Sequence, residues 1–193
     1  MMAVAVGVLL LAPLVPSAAQ ATTRVRVPYV TLKVESVNGS GCPVGSSVVT
    51  SVPDRTAFTL SFSQFRVNGG NYKSCVVSIR VSVPAGWTYA VYEVDNRGYG
   101  VLGPGASGRL MMNSWFTGFP WTLRADQTFR GPFDDFWQTT SVAPSLTYAP
   151  CGASANLTLN NTLRVAGATA SSMELFAQDM RVSTIFRLQW RQC

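Results

Sequence analysis

The chain has 193 residues, of which 47% are hydrophobic and only 12% are charged, and its formal net charge is +6. This composition excludes an intrinsically disordered chain, which combines low hydrophobicity with high net charge, and the length suits one domain with a genuine core. Histidine is absent from the whole sequence, which excludes Ser-His-Asp and Cys-His catalysis and any histidine-ligated metal site.

The positive charge comes from thirteen arginines and two lysines that are scattered singly along the chain. A nucleic-acid-binding surface needs basic residues gathered on one face or stripe, so we predict no nucleic-acid partner. Isolated arginines more often occupy solvated positions of strands. The net charge is compatible with a loose attraction to acidic polymers of a cell surface.

A secretory leader is the first predicted element and covers residues 1–21. Residues 3–15 form an apolar run that is too short to span a bilayer. The tripeptide Ala19-Gln20-Ala21 follows the small-x-small rule for cleavage, and a cut after Ala19 is the second choice. Basic residues do not open this segment, and an uncleaved membrane anchor is the alternative. We expect residues 22–193 to form a single secreted, extracellular domain that has no membrane attachment after cleavage.

Apolar and polar residues alternate with period two along much of the mature chain, which indicates half-buried strands. The alternating apolar sets are Phe58, Leu60 and Phe62; Val77, Ile79, Val81 and Val83; and Phe186, Leu188 and Trp190. Turn signals that contain glycine or proline separate these segments. The pattern predicts an all-β domain, a single antiparallel β-sandwich of jelly-roll or Greek-key type with little helix. The best candidate for a helix is 172–180.

The segment 156–165 is the cleanest predicted strand. Its apolar side consists of Leu157, Leu159, Leu163 and Val165. The polar residues between them should form an exposed face. Possible N-glycosylation sequons begin at Asn156 and Asn160 on that face, and a third begins at Asn38 in a turn. Whether the sequons are used depends on the source and is left open.

The mature chain contains four cysteines: Cys42, Cys75, Cys151 and Cys193. An even number in an exported protein implies two disulfides, and the absence of a C-x-x-C pair and of histidine speaks against a metal site. Sequence alone permits three pairings. Cys75 opens a predicted strand and Cys193 closes one, which favours the pair Cys75–Cys193. Cys42 and Cys151 lie in similar Gly/Pro turns, which leaves Cys42–Cys151 as the second bridge.

Two other patterns suggest chemistry. Residues 98–103 match G-x-G-x-x-G, but Pro104 and Gly105 follow where a dinucleotide site would begin a helix, so we interpret the motif as a glycine-rich turn. The pairs Glu93 with Asp95 and Asp134 with Asp135 could serve a glycosidase, which uses two carboxylates around the scissile bond. We expect no cofactor and no metal, and a non-enzymatic protein is favoured over a catalytic one.

Aromatic residues crowd the stretches 115–121 and 133–137. Sugar-binding modules use exposed rings as flat stacking surfaces beside a few polar groups, and turn residues within 115–121 interrupt the alternation that would bury every ring. The predicted ligand platform consists of Trp115, Phe119, Trp121, Trp137, Arg97 and Asp135. Core packing is the competing interpretation, because aromatic side chains of all-β domains mostly lie inside.

Six short motifs occur in a fixed order along the chain. They are SGCPVGS at 40–46, VPAGWTYAV at 83–91, RGY at 97–99, FRGP at 129–132, PCG at 150–152 and QWRQC at 189–193. The series resembles a secreted family of fungal and bacterial proteins that is catalogued as domain of unknown function 4360. The resemblance implies an exported all-β domain that contains the four cysteines. It carries no functional residue over to this chain, because the family has no established activity.

Two functions from different classes are consistent with these patterns. The favoured one is a non-enzymatic extracellular module that binds a cell-wall or surface glycan, or a protein partner. The alternative is a carboxylate-based, glycosidase-like hydrolase, which requires two of the four carboxylates within about 5–10 Å of each other in one cleft. A purely structural role without a discrete site is the third option. The sequence leaves the oligomeric state open.

Overall fold

The computed structural model describes residues 29–167, 170–175 and 184–193. The chain forms strands throughout these ranges, and the predicted leader, residues 1–21, lies outside them. The strands are β1 (Thr31–Asn38), β2 (Ser47–Ser51), β3 (Ala57–Phe62), β4 (Arg66–Asn68), β5 (Tyr72–Ser82), β6 (Trp87–Leu102), β7 (Ser107–Phe116), β8 (Trp121–Arg130), β9 (Phe133–Val142), β10 (Ala155–Ala166), β11 (Ser172–Leu175) and β12 (Thr184–Gln192).

The strands build two antiparallel sheets. A five-stranded sheet has the order β1-β5-β10-β7-β8, and a seven-stranded sheet has the order β2-β3-β12-β6-β11-β4 with β9 paired to the other edge of β6. The long strand β6 therefore has β12 and β11 on one side and β9 on the other. The predicted all-β antiparallel architecture is confirmed.

The core lies between the two sheets. Phe116 of the five-stranded sheet meets Tyr89 of the seven-stranded sheet edge to face, with ring centroids 5.3 Å apart. Burial raises the pKa of the Tyr89 hydroxyl, so this group stays neutral inside the sandwich. The apolar sets predicted from alternation are buried, apart from the partly buried Trp190. Each large buried side chain stabilises the fold by about 1.5–3 kcal/mol relative to exposure.

The segment 172–175 is a strand, so the expectation of a helix over 172–180 is wrong there; residues 176–180 lie outside the described ranges. This strand, β11, hydrogen-bonds to β4 on one side and to β6 on the other, and Met173 and Leu175 are buried. The open edges of β4 and β6 supply hydrogen-bond partners for its backbone, and this pairing overrides the weak local preference for a helix. In the part of the chain that the structure describes, no helix is long and apolar enough to cross a membrane.

The two disulfides join Cys42 to Cys75 and Cys151 to Cys193. The predicted pairs Cys75–Cys193 and Cys42–Cys151 are wrong because Cys75 lies on the five-stranded sheet and the strand before Cys193 lies on the other sheet. The antiparallel pairing of β1 with β5 brings Cys42 back to Cys75. Cys193 and the residue after Cys151 both hydrogen-bond to backbone carbonyls at residues 86–87, which brings the second pair together.

Candidate functional site

The outer face of the five-stranded sheet carries polar and aromatic side chains that meet across strands. In the central strand β10, Thr158 lies opposite Trp115 of β7. Two residues further along, Asn160 lies opposite Asn113 of β7, which in turn lies opposite Arg124 of β8. These residues alternate with buried ones, so their side chains share the solvent side of the sheet.

One end of this face, which we call the aromatic end, consists of Trp115, Trp121, Arg124 and Asn113. Trp115 and Trp121 are neighbours across β7 and β8. Trp121 is 55% exposed, and the guanidinium carbon of Arg124 lies 3.9 Å from a ring centroid of this tryptophan, a cation–π contact. The Nε of Arg124 donates a hydrogen bond to Oδ1 of Asn113 at 3.1 Å. Two contacts thus hold the arginine beside the exposed indole.

Phe119 lies in the turn that joins β7 to β8. Its backbone N–H donates a hydrogen bond of 2.9 Å to the carbonyl of Phe116. The residue is 41% exposed, yet its ring makes a T-shaped contact with the buried ring of Phe116, with centroids 6.5 Å apart. The structure therefore brings Trp115, Phe119 and Trp121 to one end of one sheet, with the two tryptophans on the open face and Phe119 leaning on the core.

Three arginines meet at the opposite end of the same face, which we call the arginine end: Arg109 of β7, Arg130 of β8 and Arg164 of β10. Arg109 and Arg164 are direct cross-strand neighbours. Arg130 lies opposite Ser107, two residues along β7 from Arg109. The three side chains line an open depression of about 290 Å³ together with Ser107, Thr128 and Ala166.

Within the described residues, only one of the three arginines has an acidic partner. The Nε of Arg109 donates a hydrogen bond to Oδ1 of Asp126 at 2.7 Å, and a second guanidinium nitrogen contacts Oδ2. The hydrogen bond from Arg109 lowers the pKa of the Asp126 carboxyl, and the same bond raises the pKa of Arg109. Arg130 and Arg164 form no ion pair with any residue that the structure describes.

The other half of the predicted platform lies on the seven-stranded sheet. Trp137 is only 5% exposed because its indole packs onto Gly98 of β6, where a Cβ atom would come within 2.2 Å of the ring. It also contacts Phe129, with ring centroids 5.2 Å apart. Arg97 and Asp135 are exposed on β6 and β9. The expected grouping of Trp137, Arg97 and Asp135 with the aromatic end is therefore wrong.

Three of the four candidate catalytic carboxylates are bonded to other side chains, whereas Asp135 accepts a hydrogen bond from the backbone N–H of Phe136. Glu93 and Asp95 both accept hydrogen bonds from Arg187, from Nε at 2.6 Å and from Nη2 at 2.8 Å. Both hydrogen bonds raise the pKa of Arg187, and the bond to Glu93 has the larger effect. Asp134 accepts a hydrogen bond from the Tyr99 hydroxyl, which raises the pKa of that tyrosine. Among the described residues, no group of three or more acidic or cysteine side chains could hold a metal ion.

The three sequon asparagines have different surroundings. Asn38 is exposed at the end of β1. Asn156 and Asn160 are half-buried on the outer face of β10, and Asn160 lies at the centre of the sheet between Val76 of β5 and Asn113 of β7. The apolar residues that alternate with them are buried as predicted.

A sequence model of the family described as "Domain of unknown function (DUF4360)" matches residues 28–193, almost the whole of the expected mature chain. The chain belongs to this family. A relative of the DUF4360 domain is an "Uncharacterized secreted protein" of Arthroderma benhamiae, which is 29% identical over 168 residues that cover 80% of this chain and 68% of the relative. The predicted secretion to the extracellular space is confirmed.

Several solved structures are distantly similar to the DUF4360 domain. The TmCBM61 structure in complex with β-1,4-galactotriose is 12% identical, with a TM-score of 0.34 and coverage of 82% of this chain and 88% of that one. The family 11 carbohydrate-binding module of Lic26A-Cel5E of Clostridium thermocellum is 11% identical, with a TM-score of 0.27 and coverage of 86% and 89%. The function of this chain has to be argued from its own residues.

Sequence reasoning missed Asn113 and Arg124 as companions of the tryptophans. Residues three apart on a regular strand point to opposite sides of a sheet, so Trp121 and Arg124 do not look like neighbours. A register shift between Ser114 and Trp115 opposite them changes this alternation, and Thr122 and Leu123 are both buried in succession. Such an irregularity leaves no clear mark in the local sequence.

Proposed function

We propose that this protein is a non-enzymatic extracellular module that binds a cell-wall or surface glycan on the outer face of its five-stranded sheet. The observation that carries the proposal is the exposed indole of Trp121 beside Trp115, on a sheet face whose neighbouring positions bear amide, hydroxyl and guanidinium groups. Small-molecule sites are lined mostly by apolar and aromatic side chains together with a small number of precisely placed polar groups.

The chemistry of the aromatic end suits a sugar ring. A pyranose has an apolar C–H face, which can stack on an indole, and a rim of hydroxyl groups, which need hydrogen-bond partners. Asn113 and Asn160 place amide groups at adjacent positions, and Thr158 adds a hydroxyl beside Trp115. Because Arg124 is already held by Trp121 and Asn113, little side-chain freedom is lost when a ligand binds.

The hydrolase alternative has weaker support. Glu93 and Asp95 share Arg187, so the two carboxylates that lie together form a local ion-pair network on a sheet face. Asp134 is occupied by Tyr99 and pairs along β6 with Val101, far from Glu93 in the same strand. A glycosidase needs one carboxylic acid and one carboxylate that both face the substrate. The non-enzymatic module is therefore the better-supported function.

A glycan-array screen on the purified mature protein, followed by calorimetric titration of the best neutral glycan, tests the proposal. We expect Trp121→Ala to weaken binding by about 30-fold, since truncation of a central tryptophan anchor costs about 2 kcal/mol or more. Phe136→Ala is the matched control, because Phe136 is 45% exposed but lies on the other sheet. This control should bind like the wild type.

The proposal fails if no glycan binds, or if Trp121→Ala and Trp115→Ala bind as tightly as the wild type. Equal losses in the Trp121 and Phe136 variants would also contradict it, because they would indicate a general effect of removing surface rings. Circular dichroism of each variant establishes that the fold is retained.

A further inference from the structure

The arginine end breaks a local rule of sheet stability. Like charges at directly opposed positions of an antiparallel pair destabilise it, since the two Cβ atoms are only about 4.5–5.5 Å apart. Arg164 lies directly opposite Arg109, and Arg130 is close by in the same depression. Asp126 compensates one of these three charges. Local conflicts of this kind in an otherwise consistent fold are expected at functional sites.

The other arginines described on this face are held by neighbouring side chains. At the β1 edge, Arg80 is paired with Glu35 at 2.9 Å. At the aromatic end, the guanidinium of Arg124 is taken up by Trp121 and Asn113. Arg130 and Arg164 are exposed and remain without an acidic partner in the described ranges. Singly scattered arginines of the sequence are thus brought together by strand register.

We propose that the arginine end binds the acidic groups of a polyanionic glycan, a carboxylate or a sulfate carried on the sugar, while the aromatic end stacks rings of the same chain. The inference rests on the proposed function, because it names the class of glycan that this face takes. Guanidinium groups present a planar fork of donors that matches the oxygens of carboxylate and sulfate-like anions.

The aromatic end and the arginine end are spaced so that one extended ligand could contact both. Trp115 and Arg109 both point outward from β7 and are six residues apart, which is about 20 Å along a strand. Met111 and Asn113 lie between them on the same side, and Thr162 and Asn160 occupy the neighbouring positions of β10. A chain of several sugar rings could therefore reach both ends across Met111 and the polar side chains of Asn113, Asn160 and Thr162.

The test compares charged and neutral forms of the same glycan by calorimetric titration. The first pair of probes is an oligogalacturonate and its full methyl ester, and the second is dextran sulfate and dextran. We expect the wild type to bind at least one charged form about tenfold more tightly than its neutral form, with a preference that shrinks as sodium chloride is added. The pair that shows the preference distinguishes carboxylate from sulfate.

Substitutions separate this inference from the proposed function. Arg130→Gln/Arg164→Gln should abolish the preference for the charged form and leave binding of the neutral form unchanged, whereas Trp121→Ala should weaken both forms. The matched control for charge is Arg164→Gln against Arg97→Gln. The latter removes another exposed arginine, from the opposite sheet, and should leave the preference intact.

Equal binding of both forms by the wild type, or a preference that survives in the double variant, overturns the role of the arginine end and leaves the stacking proposal standing. A charged preference together with a Trp121→Ala variant that binds like the wild type overturns the stacking proposal instead. If none of the four probes binds, the arginine end is refuted, while neutral glycans on the array still judge the proposed function. Equally tight binding of a single-stranded oligonucleotide would show unselective attraction of polyanions and would refute a glycan site.

Discussion

The outer faces of the two sheets differ in how their charged side chains are paired. On the seven-stranded sheet, acidic side chains find partners on the same face: Glu174 pairs with Arg66, Asp134 accepts from Tyr99, and Glu93 and Asp95 share Arg187. On the five-stranded sheet, arginines gather at one end with a single acidic partner among the described residues, and an exposed tryptophan lies at the other end.

This difference shows how to distinguish a solvated sheet face from a candidate binding face. Exposed ion pairs contribute only about 0–1 kcal/mol each, so the pairs on the seven-stranded sheet are weak evidence of stability. Their importance is that they occupy four carboxylates of this sheet, while Arg97 and Asp135 stay exposed without an ion pair to any described residue. The five-stranded sheet keeps exposed rings and unpaired guanidinium groups on one side of one sheet, which is where a ligand can gain most from binding.

The largest expected effect contrasts two tryptophans. Trp137→Ala should lower the free energy of unfolding by about 3–5 kcal/mol, because it leaves a cavity in the core where the indole packs against Gly98. Trp121→Ala should lower it by about 1 kcal/mol or less, because it removes an exposed ring and one cation–π contact. Urea denaturation of both variants measures the difference. Equal losses of stability would break the contrast between a structural and a binding residue.

The next largest effect concerns the disulfides. Cys42–Cys75 is attached to the five-stranded sheet, and Cys151–Cys193 is attached to the seven-stranded sheet. Replacing either pair by alanine should lower the free energy of unfolding by about 2–4 kcal/mol, since the bridges close 33 and 42 residues of chain. Cys42 and Cys75 are buried, whereas Cys151 and Cys193 are exposed. Under native conditions a thiol reductant should therefore open Cys151–Cys193 first. Alkylation and mass spectrometry after brief reduction measure the order, and simultaneous opening would contradict the difference in access.

The smallest expected effect comes from removing the single acidic partner described at the arginine end. Asp126→Asn should free Arg109 and strengthen binding of dextran sulfate severalfold, with a change in stability below about 1 kcal/mol because the pair is exposed. Titration of dextran sulfate into this variant and the wild type measures the gain. Unchanged affinity would mean that Arg109 takes no part.

Lowering the pH should strengthen binding of dextran sulfate by the wild type in the same way as Asp126→Asn does. The pKa of Asp126 is lowered by the hydrogen bond from Arg109, and the nearby Arg124 acts in the same direction; Met111, opposite on β7, is uncharged. The stability from this pair is therefore present above the unfolded pKa of about 3.9 and is lost as the pH falls through the lower folded value. As the pH falls through that lowered folded value, the wild type should approach the affinity of the variant, which should itself stay constant, since sulfate remains ionised.

The strands could be predicted because the information is local. In β5, the alternation of Val77, Ile79 and Val81 with polar residues requires one buried face whatever the partner strands are, and these three residues are fully buried. The same reasoning identified the polar face of β10. The short strand β11 could not be found in this way, because the edges of β4 and β6 stabilise it.

The candidate site depends on contacts that the local pattern does not contain. Nothing near Trp137 in the sequence indicates that Gly98, across a strand pair, leaves room for its indole. The cluster of Arg109, Arg130 and Arg164 follows from the register of three strands, of which β10 is distant in sequence from the consecutive strands β7 and β8. Disulfide partners were missed for the same reason, since pairing depends on the sheet that each strand joins.

The position of Asn160 has a practical consequence for the choice of production host. This sequon asparagine lies in the central strand of the proposed binding face, opposite Asn113. An oligosaccharide attached there by a eukaryotic secretory pathway would cover the strip between the aromatic end and the arginine end. Protein from such a host would carry its own sugar across the proposed glycan-binding face, and Thr162→Ala would remove the sequon without altering Asn160.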